Sequence, residues 1–327
     1  MTGPASTSTT TRERMRRAPV ETGLGMAPDP ASTREDIRLR LPLHDGVRDA
    51  GGRVLPLLPA LLADSGIGYL VFSTGKLTAG APTVELRLDL AATPAPHAAW
   101  LTAGLTLLHL DDEIGVGRAE IRDDTGVLVA HAVVSMAVTG VPDRPGGLAR
   151  AGGPIDPSAG GSRDGAAGTG LGTSNGLGAA TATATATATD TATATATDTD
   201  TDTDTDFRSA LPPFDPQRLR PDRLEFDGAD AVFTPGPSTV NLNGTTHGAV
   251  LSGFAAAAQA AHLGEPAARP LSLTVEFLRP VHVDVALRAR TTTVRDGRRF
   301  WAMRTELLLP DGRAAVRATG SGLRPGS

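Results

Sequence analysis

The stretch NLNGTTHGAVLSGFAAAAQAAHLG, residues 241–264, sets an Asn, a Gly and a His-Gly pair directly before an alanine-rich helical run. A helix start offers backbone N–H groups without intrahelical partners and a partial positive charge, and both favour an anion. Gly248 has no side chain, so a ligand can approach that backbone closely. Asn241 adds a carboxamide and His247 a ring. The helix holds no acid. Far upstream, Asp64 stands between the apolar runs PLLPALLA and GIGYLVF. An unpaired carboxylate in such surroundings costs several kcal/mol, so a partner or a chemical task is implied.

Other chemistries are excluded by composition. The chain has no cysteine, which removes disulfides, thiolate nucleophiles and cysteine-based zinc sites. Its seven histidines are scattered, with no pair at ligand spacing, so no metal is expected. Aromatic residues are 3% and the net charge is -5, which speaks against a nucleic-acid partner. No run reads as a membrane span, and no apolar stretch follows the basic residues Arg12 to Arg17. A cytoplasmic protein is the expectation.

The elements that must position these residues recur twice. DIRLRLPL alternates, the stretch from Gly51 to Phe72 is helix-like, and PTVELRLDL opens a series of alternating segments ending in VLVAHAVVSMAV. From Phe207 the same order returns: a strand-like DRLEFDG, a helix, then several strands. One long helix followed by an antiparallel sheet implies an α+β unit with the sheet wrapped around the helix. Between the units the sequence becomes a Thr-Ala and Thr-Asp dipeptide repeat that can fill no core. The expected boundaries are a disordered tail at 1–33, a first domain at 34–140, a linker at 141–206 with a reach of roughly 40–50 Å, and a second domain at 207–325.

The second unit resembles a hotdog-fold acyl-CoA thioesterase of the phenylacetyl-CoA thioesterase (PaaI-like) class. The resemblance is carried by Asn241, Gly244, Thr245, His247 and Gly248, by the TVEFLRP strand and by the Gly-Arg-Arg turn at 297–299. The family pattern has an Asn, a His-Gly-Gly six residues on, and an acid nine residues after the His. Here the third motif position is Ala249, and nine after His247 comes Ala256. In the first unit LLADSGIG matches the acid-bearing helix, with the acid at Asp64. Leu55 then stands where the His belongs, Pro56 and Leu57 where the glycines belong, and Asp49 at the Asn position. One half keeps the acid and the other keeps the motif.

In the resembled family, each site takes its oxyanion donors from one subunit and its acid from the partner. Two tandem hotdog domains in a pseudo-dimer would pair Asp64 with Gly248 and Asn241, and Pro56 with Ala256. Proline has no N–H to donate, so the second pairing would be inert. The resemblance implies hydrolysis of an acyl-CoA to free acid and coenzyme A without a cofactor. Asp64 is then nucleophile or general base, with Gly248 and Asn241 stabilising the oxyanion and Thr83 as helper. An ordinary strand role for Thr83 stays open. His247 and Ala249 fall beside the substrate, with His247 read chiefly as a brace. Arg298 and Arg299 meet the coenzyme A phosphates or cap a solvated hairpin. The alanine face at 255–261 is read as helix packing. Hotdog proteins commonly associate, so a homo-oligomer is expected. The competing expectation is a non-catalytic acyl-CoA-binding or scaffold protein.

Overall fold

The computed structural model describes residues 18–33, 35–77, 80–139 and 213–325. The segment read as a linker at 141–206 lies outside them. The first half builds α1 (Pro19–Gly23), β1 (Ala27–Pro28), β2 (Arg38–Pro42), α2 (Leu57–Gly75), β3 (Thr83–Leu90), β4 (Trp100–Leu110), β5 (Ile114–Asp123) and β6 (Leu128–Ala137). The second builds β7 (Glu225–Asp227), β8 (Asp230–Phe233), α3 (Gly248–Leu263), β9 (Arg269–Phe277), β10 (Leu287–Asp296), β11 (Phe300–Leu308) and β12 (Ala314–Leu323).

The strands form one 12-stranded sheet in the order β1-β2-β4-β5-β6-β3-β9-β12-β11-β10-β8-β7. Read outward from the β3–β9 pairing, both halves repeat one order. That central pairing is antiparallel, with Arg87 opposite Thr274. It follows from the alternation of TVELRLDL, which buries Leu86 and Leu88 and leaves Glu85 and Arg87 exposed. The order confirms the α+β, tandem hotdog architecture.

The two long helices pack on this sheet and on each other. α2 is buried on nearly every side. Glycines on β5 give it room: a Cβ at Gly117 would stand 2.6 Å from Ile67 Cδ1. α2 stops at Lys76, whose left-handed backbone turns the Leu77 N–H back onto the Phe72 carbonyl at 3.1 Å.

One expectation is sharpened here and one is corrected. α2 is long and apolar enough to cross a membrane by length and composition, with a mean hydropathy of 1.4, yet 72% of that window is buried within the fold. A core helix enclosed on both sides meets the same compositional test as a membrane span. In the stretch read as a disordered tail, residues 18–33 carry α1 and β1, and they bury Ala18, Val20, Glu21, Leu24 and Met26. A five-residue helix is too short to show a periodic signal. Residues 1–17 lie outside the described ones.

Candidate active site

Four elements converge on one cavity of about 430 Å³. α2 contributes Asp64, β3 begins at Thr83, the loop before α3 contributes Asn241 and His247, and α3 begins at Gly248. Asp64 and Gly248 are in close contact. A Cβ placed on Gly248 would lie 2.7 Å from Asp64 Oδ2 and 3.2 Å from the Phe277 ring. Only glycine fits there without displacing the carboxylate. The Ala249 N–H points to the His247 ring, and those of Val250 and Leu251 return to the His247 carbonyl. The Gly248 N–H has no partner among the described residues, so the helix start presents a free donor beside a carboxylate.

Asp64 is held from two directions. Thr83 Oγ1 donates to its Oδ1 at 2.5 Å, and His247 Nδ1 lies 3.2 Å from its Oδ2. His247 is itself buried, and its Nε2 lies 3.2 Å from Glu21 Oε1. Ser65 Oγ donates to the same Glu21 oxygen at 2.8 Å, and Tyr69 contributes its hydroxyl at 3.4 Å. Glu21 and Asp64 are 3% and 6% exposed. Two carboxylates therefore flank one imidazole out of water.

Burial alone would drive charge off the His247 ring. The charge of Glu21 and the hydrogen bonds and charge of Asp64 outweigh it, and the His247 pKa is pushed up to about 10. Burial likewise works to raise Glu21, but the His247 charge and the hydrogen bonds from His247 and Ser65 hold it below its ordinary 4.5. The charged ring donates from Nε2 to Glu21 and from Nδ1 to Asp64. The Ala249 N–H, 3.1 Å from Nδ1, cannot donate to a protonated nitrogen. That contact belongs to the neutral ring. The two arrangements differ by one proton on Nδ1.

The remaining expected residues divide. Asn241 lines the cavity but braces its own loop: Nδ2 donates to Thr245 Oγ1 at 3.1 Å, and Oδ1 accepts from the Asn243 N–H at 2.8 Å. Its amide keeps a second hydrogen beyond that bond. Ala249 is fully buried and outside the cavity lining. Arg298 and Arg299 are exposed on the turn between β10 and β11. That turn sits level with Arg269 at the start of β9, because Phe300 pairs with Leu323 and Leu323 with Arg269. The cavity lies at the other end of β9, beside Phe277, eight residues and roughly 25 Å along the strand. These two arginines are therefore not phosphate ligands for this site. Arg279 lines the cavity instead.

Glu21, Ser65 and Tyr69 escaped the sequence reading. Ser65 follows Asp64 directly, and its neighbourhood was there to question. Glu21 had only one signal, the Pro19 start and the apolar residues Val20, Leu24 and Met26 around it.

Comparison with known proteins adds the family. Residues 237–322 match the model of an acyl-CoA thioesterase N-terminal domain. Residues 4–137 match that of an acyl-CoA thioesterase C-terminal domain. No curated protein matches the chain. A provisionally named oleoyl thioesterase structure from Lactobacillus plantarum is 10% identical, with a TM-score of 0.53 over 91% of this chain and 99% of that one; it shares the fold. A provisionally named thioesterase from Novosphingobium aromaticivorans is 14% identical over 91% of this chain and 100% of its own, at a TM-score of 0.48. A mutant form of the phenylacetic acid degradation protein PaaI from Thermus thermophilus is 27% identical over 31% of this chain and 90% of its own, at a TM-score of 0.29. Both halves of the chain are thus hotdog domains of the acyl-CoA thioesterase kind, set in the reverse of the order in which the two family models name them.

Proposed function

We propose that the protein hydrolyses acyl-CoA thioesters at the composite Asp64–Gly248 site. The observation that carries this reading is the contact of the Asp64 carboxylate with Gly248, two residues from different halves of the chain. A thioester carbonyl oxygen that accepts from the Gly248 N–H gains a donor where negative charge develops. Its carbon then faces Asp64. On the general-base route, water adds to that carbon and loses its proton to Asp64. The C–S bond then breaks, and the leaving thiolate takes that proton. On the nucleophilic route, an Asp64 oxygen forms an anhydride, the thiolate leaves, and water cleaves the anhydride. Thr83 holds the carboxylate in place, and His247, backed by Glu21, balances its charge. Arg279 is the cation placed to meet a phosphate at the mouth. The motif from Asn241 to Gly248 supports a relation to the phenylacetyl-CoA class.

The test is release of free thiol from short, medium, long and aromatic acyl-CoAs, with Asp64→Asn and Gly248→Pro alongside. Turnover by the native protein and loss in both variants supports the reading. A native protein that binds acyl-CoA and cleaves none of them overturns it. Hydroxylamine separates the two routes, since only the anhydride leaves a hydroxamate on Asp64 in a peptide mass map.

A further inference from the structure

The chain holds a second cavity of about 320 Å³. It is lined by the residues that match the first site position by position: Asp49, Leu55, Pro56 and Ala256 stand where Asn241, His247, Gly248 and Asp64 stand in the other. Pro56 offers no N–H and Ala256 no acid. Loss of both groups removes the chemistry, but the space has not closed. Ala256, Ala257, Ala260 and Ala261 of α3 line it. The alanine face read as packing is thus shared, with Ala255 and Ala258 in the core and these four beside the cavity.

Two residues on its wall carry buried, unsatisfied donors. Among the described residues Gln259 Nε2 and Trp301 Nε1 have no hydrogen-bond partner; they sit on residues 2% and 4% exposed that line the space. Orphaned buried donors are costly and call for an acceptor. Both are neutral. The one guanidinium on the wall, Arg53, is already held by Asp49 and the Ala268 carbonyl. A neutral carbonyl suits this pair better than a carboxylate. The arginines set aside above belong to this end of the sheet: Arg298 and Arg299 lie three and two residues from Trp301. The nearby acids are already paired, Glu265 and Asp296 with Arg324 and Asp222 with Arg220.

We infer that the second cavity binds an acyl thioester of coenzyme A without cleaving it, with the acyl chain on the alanine wall, the carbonyl on Gln259 and Trp301, and the phosphates at the Arg298–Arg299 turn. The ligand class rests on the reading of the first site. The chain has two tryptophans, so Trp100→Phe leaves Trp301 as the only indole reporter. That protein is titrated with a hydrolysis-resistant acyl-CoA thioether that retains a carbonyl one carbon from sulfur, and separately with the free fatty acid. The expected result is a saturable change in Trp301 emission that survives Gly248→Pro. Gln259→Leu should weaken it about tenfold, one charge-free hydrogen bond's worth, and Arg298→Ala with Arg299→Ala should weaken the thioether alone. No response, a response abolished by Gly248→Pro, or a response to the fatty acid and not the thioether overturns the inference. Thiol release is scored separately in the native protein, so failure of the hydrolysis reading is seen apart from failure here.

Discussion

The first cavity and the second are built from the same elements at matching positions, on either side of the β3–β9 pairing. They differ in what was placed in them. The first holds two buried carboxylates, a buried imidazole and a free helix N–H. The second keeps its volume, a proline at its helix start and two unpaired neutral donors. On the proposed reading the pair separates two properties: the fold supplies space for an acyl group, and a few residues on the helices supply the ability to cut. Asp64 and Gly248 come from different halves of the chain and meet only in the assembled pair.

The sharpest break in this contrast is Asp64→Asn. It leaves the hydrogen bond from Thr83 an acceptor and removes the charge, making the first cavity resemble the second. Thiol release should fall by roughly 10²- to 10⁴-fold in kcat, with little change in binding of an acyl-CoA. A fall of less than tenfold would mean that the two cavities differ for another reason. Gly248→Ala comes next. Its methyl would lie 2.7 Å from Asp64 Oδ2, so the carboxylate must swing away while the N–H stays. We expect a loss of roughly 10²-fold in kcat, the scale of a misplaced oxyanion partner. Equal activity in this variant would show that the close contact does not matter to the reaction.

Much of this contrast could be read before the structure. Alternation in TVELRLDL and the apolar run around Asp64 gave the elements, since a two-residue period and a long apolar block are local signals. Counting between His247 and Ala256, and back from Asp64 to Leu55, was enough to suggest that two half-motifs complement each other. Contacts that depend on chain reversal were not legible. Glu21 reaches His247 across 226 residues, and nothing in its own five-residue helix marks it. Arg298 and Arg299 looked suited to phosphate, but the strand register, not the sequence, sets them at the far end of β9. The inward turn of the Asn241 amide onto Thr245 was also hidden, because a carboxamide in a loop serves its own backbone and a ligand equally well.

Glu21→Gln tests how the first cavity tolerates its charges. The glutamine keeps the shape and leaves His247 facing one carboxylate. Removing one member of a buried charge cluster should cost about 3 kcal/mol of stability, measured by urea unfolding at neutral pH. The pH dependence has a definite sign. His247 has a folded pKa raised from 6.5 to about 10, so its contribution is full below 6.5 and is lost as pH rises through about 10. Glu21 is lowered from 4.5, so its contribution is full above 4.5 and is lost as pH falls through its depressed value. Native stability from this cluster should peak between 4.5 and 6.5 and decline towards pH 10. In Glu21→Gln the alkaline decline should still begin near 6.5 but be smaller and end at lower pH. An identical profile in the variant would show that the Glu21–His247 contact carries no charge.

Thr83→Val is the smallest change and the most selective. Valine keeps the β-branched shape that a strand start favours, and the one group lost is the hydroxyl that donates to Asp64 Oδ1. The second cavity is untouched, as it is lined by neither residue. A hydrogen bond to a charged group contributes about 1.5 kcal/mol or more, so kcat should fall about tenfold. KM should hold, because the hydroxyl orients the carboxylate and does not hold the acyl chain. Thr83→Ser restores the donor without the methyl and should recover most of the rate. Were the loss in Thr83→Val to appear in KM, or Thr83→Ser to fail to rescue it, Thr83 would be a wall of the first cavity, as Leu273 is of the second, and the contrast between the two sites would rest on the acid and the helix start alone.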